Sequence, residues 1–208
     1  MIDRLDVAFT SLRAVVRPAF AVAFRLKTSG RENLPRVGPA ILAANHASFL
    51  DPILIGVCAR RPVRFLVAND FYRDRRLHAA LRWLGAIPVG GDAGLIRSFR
   101  LITGVIRQGG LVGIFPEGGI TRDGAMRPFR TGAAVLALRM GVPLVPIRLN
   151  GTFDALPRYA KWPRFVPLSV HIGRPIPVAV RTNPSSEEIS LLSNALRDAV
   201  AALADDAG

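Results

Sequence analysis

Residues 40–59 read AILAANHASFLDPILIGVCA. The run Ala40–Ala44 is apolar throughout and short enough to be a strand buried on both faces. A polar turn follows, and a helix is predicted over Pro52–Ala59 with Asp51 at its start. The same alternation continues along the chain. Further strands are expected at Val63–Ala68, Ala86–Val89, Leu111–Phe115, Leu144–Leu149 and Leu168–Ile172. Further helices are expected at Leu77–Leu84, Leu95–Arg107, Thr131–Met140 and Ser186–Ala204. The last has a start signal, because Ser185 or Ser186 precedes Glu187 and Glu188 in the first turn. Strand and helix in alternation give an α/β fold, with a central, mostly parallel or mixed sheet flanked by helices.

Upstream of this pattern, residues 4–27 read as an amphipathic helical arm. Leu5, Phe9, Leu12, Val16, Phe20 and Phe24 recur every three or four positions, and Ala8, Val15, Ala19 and Ala23 widen the stripe. Asp6, Thr10, Arg13 and Arg17 fall opposite, and Pro18 is expected to kink or divide the helix. Bulky hydrophobes flanked by arginines suit a membrane interface. Packing against the chain's own core produces the same periodicity, so both remain open. The chain divides into this arm, 1–28, and an α/β domain, 29–208. No internal repeat or low-complexity run interrupts the domain, and Pro116–Phe129, with three glycines and two prolines, reads as a long functional loop.

The chain has 208 residues, of which 50% are hydrophobic and 21% charged. That is too apolar for a disordered chain and too charged for a polytopic membrane protein. The single cysteine, Cys58, excludes an internal disulfide and a cysteine-rich zinc site. Basic residues number 28 against 15 acidic, for a net charge of +13, and only Lys27 and Lys161 among them are lysine. A chain this basic prefers a polyanion, either nucleic acid or an anionic membrane surface. No stretch reaches the roughly 20 apolar residues that span a bilayer. Asp3 and Asp6 stand where a secretory signal would be basic. The expectation is a peripheral protein on the cytoplasmic face of the membrane.

Three histidines are available for proton transfer. His171 alternates with apolar residues in a predicted strand and reads as structural, and His78 lies in an arginine-rich helix and reads as a solvated or partly packed side chain. His46 stands at the C-terminal end of a strand, where open α/β sheets build their sites. Asp51 is five residues on, within reach of the imidazole across the turn. A carboxylate fixes the imidazole tautomer, and the free nitrogen takes a proton from a hydroxyl. The chain has no Gly-x-Ser-x-Gly elbow, P-loop, Gly-x-Gly-x-x-Gly or His-Glu-x-x-His. Cys58 falls inside a predicted helix and reads as a small buried hydrophobe. The nucleophile is therefore expected on the substrate. A second constellation, Phe115-Pro116-Glu117-Gly118-Gly119, closes a predicted strand. Arg122, Arg127 and Arg130 follow within nine residues, as a candidate anion cradle.

These blocks resemble the glycerolipid acyltransferases related to 1-acylglycerol-3-phosphate acyltransferase. The matching residues are Asn45-His46 with Asp51-Pro52, Gly85-Ala86-Ile87-Pro88-Val89, Phe115-Pro116-Glu117-Gly118, and Val142-Pro143-Leu144-Val145-Pro146-Ile147. The resemblance implies His46 and Asp51 as the catalytic pair, with His46 deprotonating an acceptor hydroxyl that attacks the thioester of acyl-CoA or acyl carrier protein. It implies a substrate site at Asn45, Glu117, Gly118 and Gly119, joined by Arg122 and Arg130, and neither a metal nor a cofactor. The partners implied are a lysolipid acceptor, the acyl donor and an anionic membrane, with no nucleic acid. Relatives that bind a phosphate monoester carry arginines at the positions of Gly91 and Ile120. The acceptor is thus either 1-acylglycerol-3-phosphate or a lysophospholipid, glycolipid or aminolipid without a phosphate monoester.

Two other classes compete. One is a non-enzymatic protein binding anionic lipid or nucleic acid. Against nucleic acid, aromatics do not alternate with the clusters Arg60-Arg61-Arg64 and Arg73-Arg75-Arg76. The other is a thioesterase in which His46 activates water, which would release free fatty acid without an acceptor.

Overall fold

The computed structural model describes residues 4–75, 77–90 and 94–203. In chain order the elements are α1 (Arg4–Ala23), β1 (Lys27–Ser29), β2 (Ala40–Ala44), α2 (Asp51–Cys58), β3 (Val63–Ala68), α3 (Asn69–Arg73), α4 (His78–Trp83) and β4 (Ile87–Val89). They continue with α5 (Gly94–Arg107), β5 (Leu111–Ile114), α6 (Gly132–Met140), β6 (Leu144–Asn150), α7 (Thr152–Ala155), β7 (Ser169–Ile172) and α8 (Ser186–Ala202). The predicted end of the last helix at Ala204 lies outside the described residues.

Seven strands form one sheet in the order β1-β7-β6-β2-β5-β3-β4. Neighbours run parallel except β6 with β7, so the sheet is mixed and mostly parallel. β2 lies at its centre, with Ile41 level with Leu144 of β6 and Val112 of β5. All five β2 residues are buried, as a strand covered on both faces requires. Ala40, Leu42 and Ala44 belong to the core beneath α1 and α2, which also holds Leu54 and Ile55. Ile41 and Ala43 face the other core, with Ile102 of α5, Leu136 of α6 and Leu196 of α8. This period-2 division leaves the C-terminal end of β2 between two packed layers.

The arm differs from its expected outline. The helix ends at Ala23 and residues 27–29 pair with β7 as an edge strand. Arg25, at φ 47°, turns the chain in the left-handed region that usually takes glycine, so no glycine marked the end in sequence. Pro18 lies inside α1 without dividing it, at an exposed position. Phe9, Val16, Phe20 and Ala23 pack on the core, whereas Val15 and Val22 face outward. The side chains of Leu5, Asp6, Ala8 and Leu12 lie outside the described residues. No described helix is long and apolar enough to cross a membrane.

Candidate active site

The turn after β2 is organised by one carboxylate. Asp51, the first residue of α2, is fully buried. Its Oδ2 accepts the N–H groups of Ala47 at 2.7 Å and Ser48 at 2.8 Å. The same oxygen lies 2.8 Å from His46 Nδ1. An ionised carboxylate is acceptor-only, so Nδ1 carries the proton and Nε2 is left with its lone pair. The positive end of α2 adds to the stabilisation of this anion. Among the described residues Oδ1 has no partner, so the whole polar load falls on one oxygen.

The imidazole is held by its face as well as its edge. It stacks on Phe115, with centroids 4.0 Å apart and planes 15° from parallel. Phe115 in turn stacks on Phe65 at 5.9 Å. Gly113 makes room for Phe65, because a Cβ there would stand 2.4 Å from the Phe65 ring. His46 keeps a side-chain exposure of 16%, enough to meet a substrate from one side.

The glycine-rich loop joins the turn through main chain. His46 N–H donates to Glu117 Oε1 at 2.9 Å, and Thr121 N–H donates to the His46 carbonyl at 2.9 Å. Glu117 is buried, and its Oε2 accepts Arg127 N–H at 3.2 Å with the Arg127 Nε at 3.5 Å. Gly118 has φ 74°, and a Cβ there would stand 2.6 Å from Arg130 Nε. Only glycine combines that backbone with so close a guanidinium. The Asp123 carboxyl sits below its ordinary value, first through the Thr121 hydroxyl and then through the Ala125 N–H, which fixes the loop's far side.

The structure thus brings His46, Asp51, Glu117, Gly118 and Gly119 together and shows different employments for them. Asn45 is buried, with its amide bonded to Leu149 on both sides, to the carbonyl at 2.9 Å and the N–H at 2.8 Å. It extends the β2–β6 ladder as a side chain. Glu117 is committed to main chain and to Arg127. Arg122 and Arg130 are exposed, and among the described residues neither pairs with a carboxylate. Ile120 stands in the loop as expected, and Gly91 lies outside the described residues.

Arg127, read in the sequence as one of three arginines of an anion cradle, is tied to Glu117. Neither that tie, nor the Phe115 stack, nor the bond of Glu117 to His46 follows from spacing. Their only trace in sequence is the Phe-Pro-Glu-Gly block itself. Ser48 donates to the Leu156 carbonyl at 2.7 Å and accepts Leu50 N–H, so it closes the turn. His171 lies between Ser29 and Ser169 Oγ, each 2.9 Å away, as a structural histidine. Cys58 is buried beside Thr28, and burial pushes its thiol up, away from nucleophilic chemistry. No described cluster of three or more histidine, cysteine or acidic side chains could hold a metal ion.

A family model described as Acyltransferase matches residues 25–150. A 1-acyl-sn-glycerol-3-phosphate acyltransferase of Bacillus subtilis is 25% identical over 177 residues, covering 84% of this chain and 86% of that protein. The protein of the same description from Borreliella burgdorferi is 27% identical over 153 residues, 70% of this chain and 60% of its own length. A chloroplastic one from Brassica napus is 29% identical over 137 residues, 64% of this chain. The chain spans only 40% of that plant protein. The crystal structure of a 1-acyl-sn-glycerophosphate acyltransferase from Thermotoga maritima shares the fold. Its TM-score is 0.79 at 21% identity, over 99% of this chain and 83% of that one. The matched segment runs from β1 through β6 and contains the whole His46–Asp51–Glu117 assembly, and by that match the chain belongs to the acyltransferase family.

Proposed function

We propose that this protein transfers an acyl group from acyl-CoA or acyl carrier protein to a hydroxyl of a lysoglycerolipid such as 1-acylglycerol-3-phosphate. The observation that carries this reading is the single bonded geometry of His46. Nδ1–H is held by a buried carboxylate, one ring face by Phe115, and Nε2 is left to act. His46 Nε2 takes the acceptor's hydroxyl proton as the oxygen attacks the thioester carbonyl. Asp51 supports the imidazolium that forms. The tetrahedral intermediate collapses with cleavage of the C–S bond, and the imidazolium proton passes to the departing thiolate.

The N–H of Gly118 is taken by the Phe115 carbonyl and that of His46 by Glu117. Among the described residues the N–H groups of Gly119 and Ile120 make no hydrogen bond, and these are the amides we assign to the developing oxyanion. Asn45 and Glu117 act in this scheme by positioning the turn. Arg122 and Arg130 meet the acceptor's anionic head. Residues 1–28 serve as an interfacial arm on the cytoplasmic face of the membrane, meeting it through the outward side that carries Val15 and Val22, since Phe9, Val16 and Phe20 pack on the core, and 29–208 serve as the transfer domain.

The test is a panel of lysolipid acceptors assayed with both donors. His46→Ala should keep its melting temperature and lose about 1,000-fold or more of acceptor-dependent thiol release. Undiminished turnover removes His46 as the base. Free fatty acid as the main product, with or without acceptor, replaces transfer by hydrolysis.

A second acceptor class has its own support. Ile120 occupies one position where monoester-binding relatives place arginine, and a monoester dianion needs two or three charge-assisted bonds. A lysophospholipid, glycolipid or aminolipid that outpaces 1-acylglycerol-3-phosphate in the panel would favour that class.

A further inference from the structure

Between α7 and β7 the chain reads RYAKWPRFV over residues 158–166, three basic–aromatic pairs in succession. Tyr159, Trp162 and Phe165 are 74%, 83% and 66% exposed, and Arg158, Lys161 and Arg164 are exposed beside them. Single exposed hydrophobes are ordinary, but three large rings within seven residues form a patch that calls for an occupant. The segment is not a loose tether. Arg164 N–H donates to the Ala155 carbonyl at 2.7 Å, and Ala160 N–H to the Pro157 carbonyl at 2.9 Å. Leu168 N–H is bonded to the Phe24 carbonyl at 3.0 Å, and the Phe165 ring tilts against Phe24 at 5.3 Å. The segment is thus a strap fastened at both ends that holds its aromatics outward.

We infer that this strap is a docking surface for an anionic lipid bilayer, separate from the stripe on α1. No acidic residue occurs from Ala155 through Ser186, while Arg158, Lys161, Arg164 and Arg174 do, so the segment complements an anionic surface. Tryptophan and tyrosine favour the boundary between headgroups and acyl chains, where one end of the ring system is wet and the other apolar. Phe165 lies against Phe24, just past α1, and α1 itself exposes Val15 and Val22. Exposed aliphatic side chains suit acyl chains and offer nothing to a nucleic-acid backbone, the other polyanion that alternating basic and aromatic residues can bind. The strap also begins at the site. Leu156 accepts the Ser48 hydroxyl within the His46 turn, so a bilayer seated on the strap lies close to where a lipid acceptor meets His46. This last link rests on the proposed acceptor; the docking surface itself does not.

Trp83 is the other of the chain's two tryptophans, and Trp83→Phe makes Trp162 the sole reporter. Vesicles of phosphatidylglycerol and phosphatidylethanolamine should shift Trp162 emission to the blue, and neutral phosphatidylcholine vesicles should do so less. Tyr159→Ser with Trp162→Ser should weaken co-sedimentation with the anionic vesicles by about tenfold or more. Arg158→Gln with Lys161→Gln and Arg164→Gln should abolish the preference for anionic over neutral vesicles, which keeps the test open if the aromatic variant melts early. Both variants should retain acyl transfer on detergent-dispersed substrate. His46→Ala should lose transfer and still bind vesicles, so the two readings fail separately. An unshifted Trp162 emission with unchanged vesicle binding of both variants overturns the proposal. So does a shift produced by a single-stranded oligonucleotide or by acyl carrier protein but not by vesicles.

Discussion

Two helices of this protein begin on a carboxylate that reaches back to main chain, and the two carboxylates have opposite surroundings. At α2, Asp51 takes the N–H groups of Ala47 and Ser48 and then His46 Nδ1, entirely out of solvent. At α8, Glu188 takes the N–H of Ser185 at 2.8 Å and Arg181 Nε at 3.1 Å, with 41% of its side chain exposed. Ser185 Oγ in turn accepts Glu188 N–H at 3.1 Å, completing a capping box. Both anions face a helix N-terminus. Water screens one and not the other, so the same local chemistry orients a reactive ring at α2 and stops fraying at α8.

The comparison is broken most forcefully at Asp51. Asp51→Asn keeps the shape but removes the acceptor-only group, so the imidazole loses its fixed tautomer. An amide nitrogen would also be buried where Oδ1 has no partner among the described residues. Acyl transfer is expected to fall about 1,000- to 10,000-fold, measured as acceptor-dependent thiol release. Stability is expected to fall by about 1–3 kcal/mol in denaturant melts. A loss below tenfold would mean that shape alone orients His46.

The two helix starts also show what was legible in the sequence. Ser185, Glu187 and Glu188 are neighbours, and so are His46 and Asp51, so both caps could be read from spacing within a single turn. The sheet was legible for a similar reason, because β2 to β7 are apolar runs separated by helical periodicity. Glu117 was legible only as part of a motif. Its bond to His46 N–H joins residues 71 apart, and nothing in either local sequence encodes it. Asn45 reads from its motif as a substrate residue, and its amide completes a ladder with Leu149, 104 residues on. β1 and α7 are three and four residues long, too short for any period to appear. The strap at 158–166 follows no helical or strand period and lies far in sequence from the arginine clusters of residues 60–76, so only the outward placement of its rings marks it.

Glu117→Gln sharpens the comparison, since it weakens the site's second carboxylate without touching Asp51. Glutamine can still accept from His46 N–H, but its amide nitrogen would face Arg127 N–H. Transfer is expected to drop by up to about 100-fold through misplacement of the turn, less than for Asp51→Asn. A transfer rate equal to the parent would show that Asp51 alone sets the turn.

Gly113→Ala acts two rings away from His46. The added methyl meets Phe65, so the stack of Phe65 on Phe115 must move. Overpacking of this kind costs about 1–3 kcal/mol. For a domain of this size that lowers the melting temperature by about 2–4 °C per kcal/mol. Activity per folded molecule should fall less than for Glu117→Gln, because the bond of His46 to Asp51 is untouched.

The smallest effect belongs to the exposed carboxylate and is read through pH. Glu188 is held below its ordinary 4.5, first by Ser185 N–H and then by Arg181. Its folded form therefore binds protons less readily than its unfolded form. The stability it adds is complete above the unfolded value and is lost as pH falls through that value and on through the folded one. Glu188→Gln should melt below the parent at pH 7, and the difference should be smaller at pH 3. Ser185→Ala removes the other half of the box at a cost of about 1 kcal/mol, with a weaker pH dependence because the Ser185 N–H remains to hold Glu188. A gap between parent and Glu188→Gln that is equal at both pH values would mean that the glutamate side chain works at α8 by shape. The contrast with Asp51 would then lie in the kind of interaction as well as in its screening.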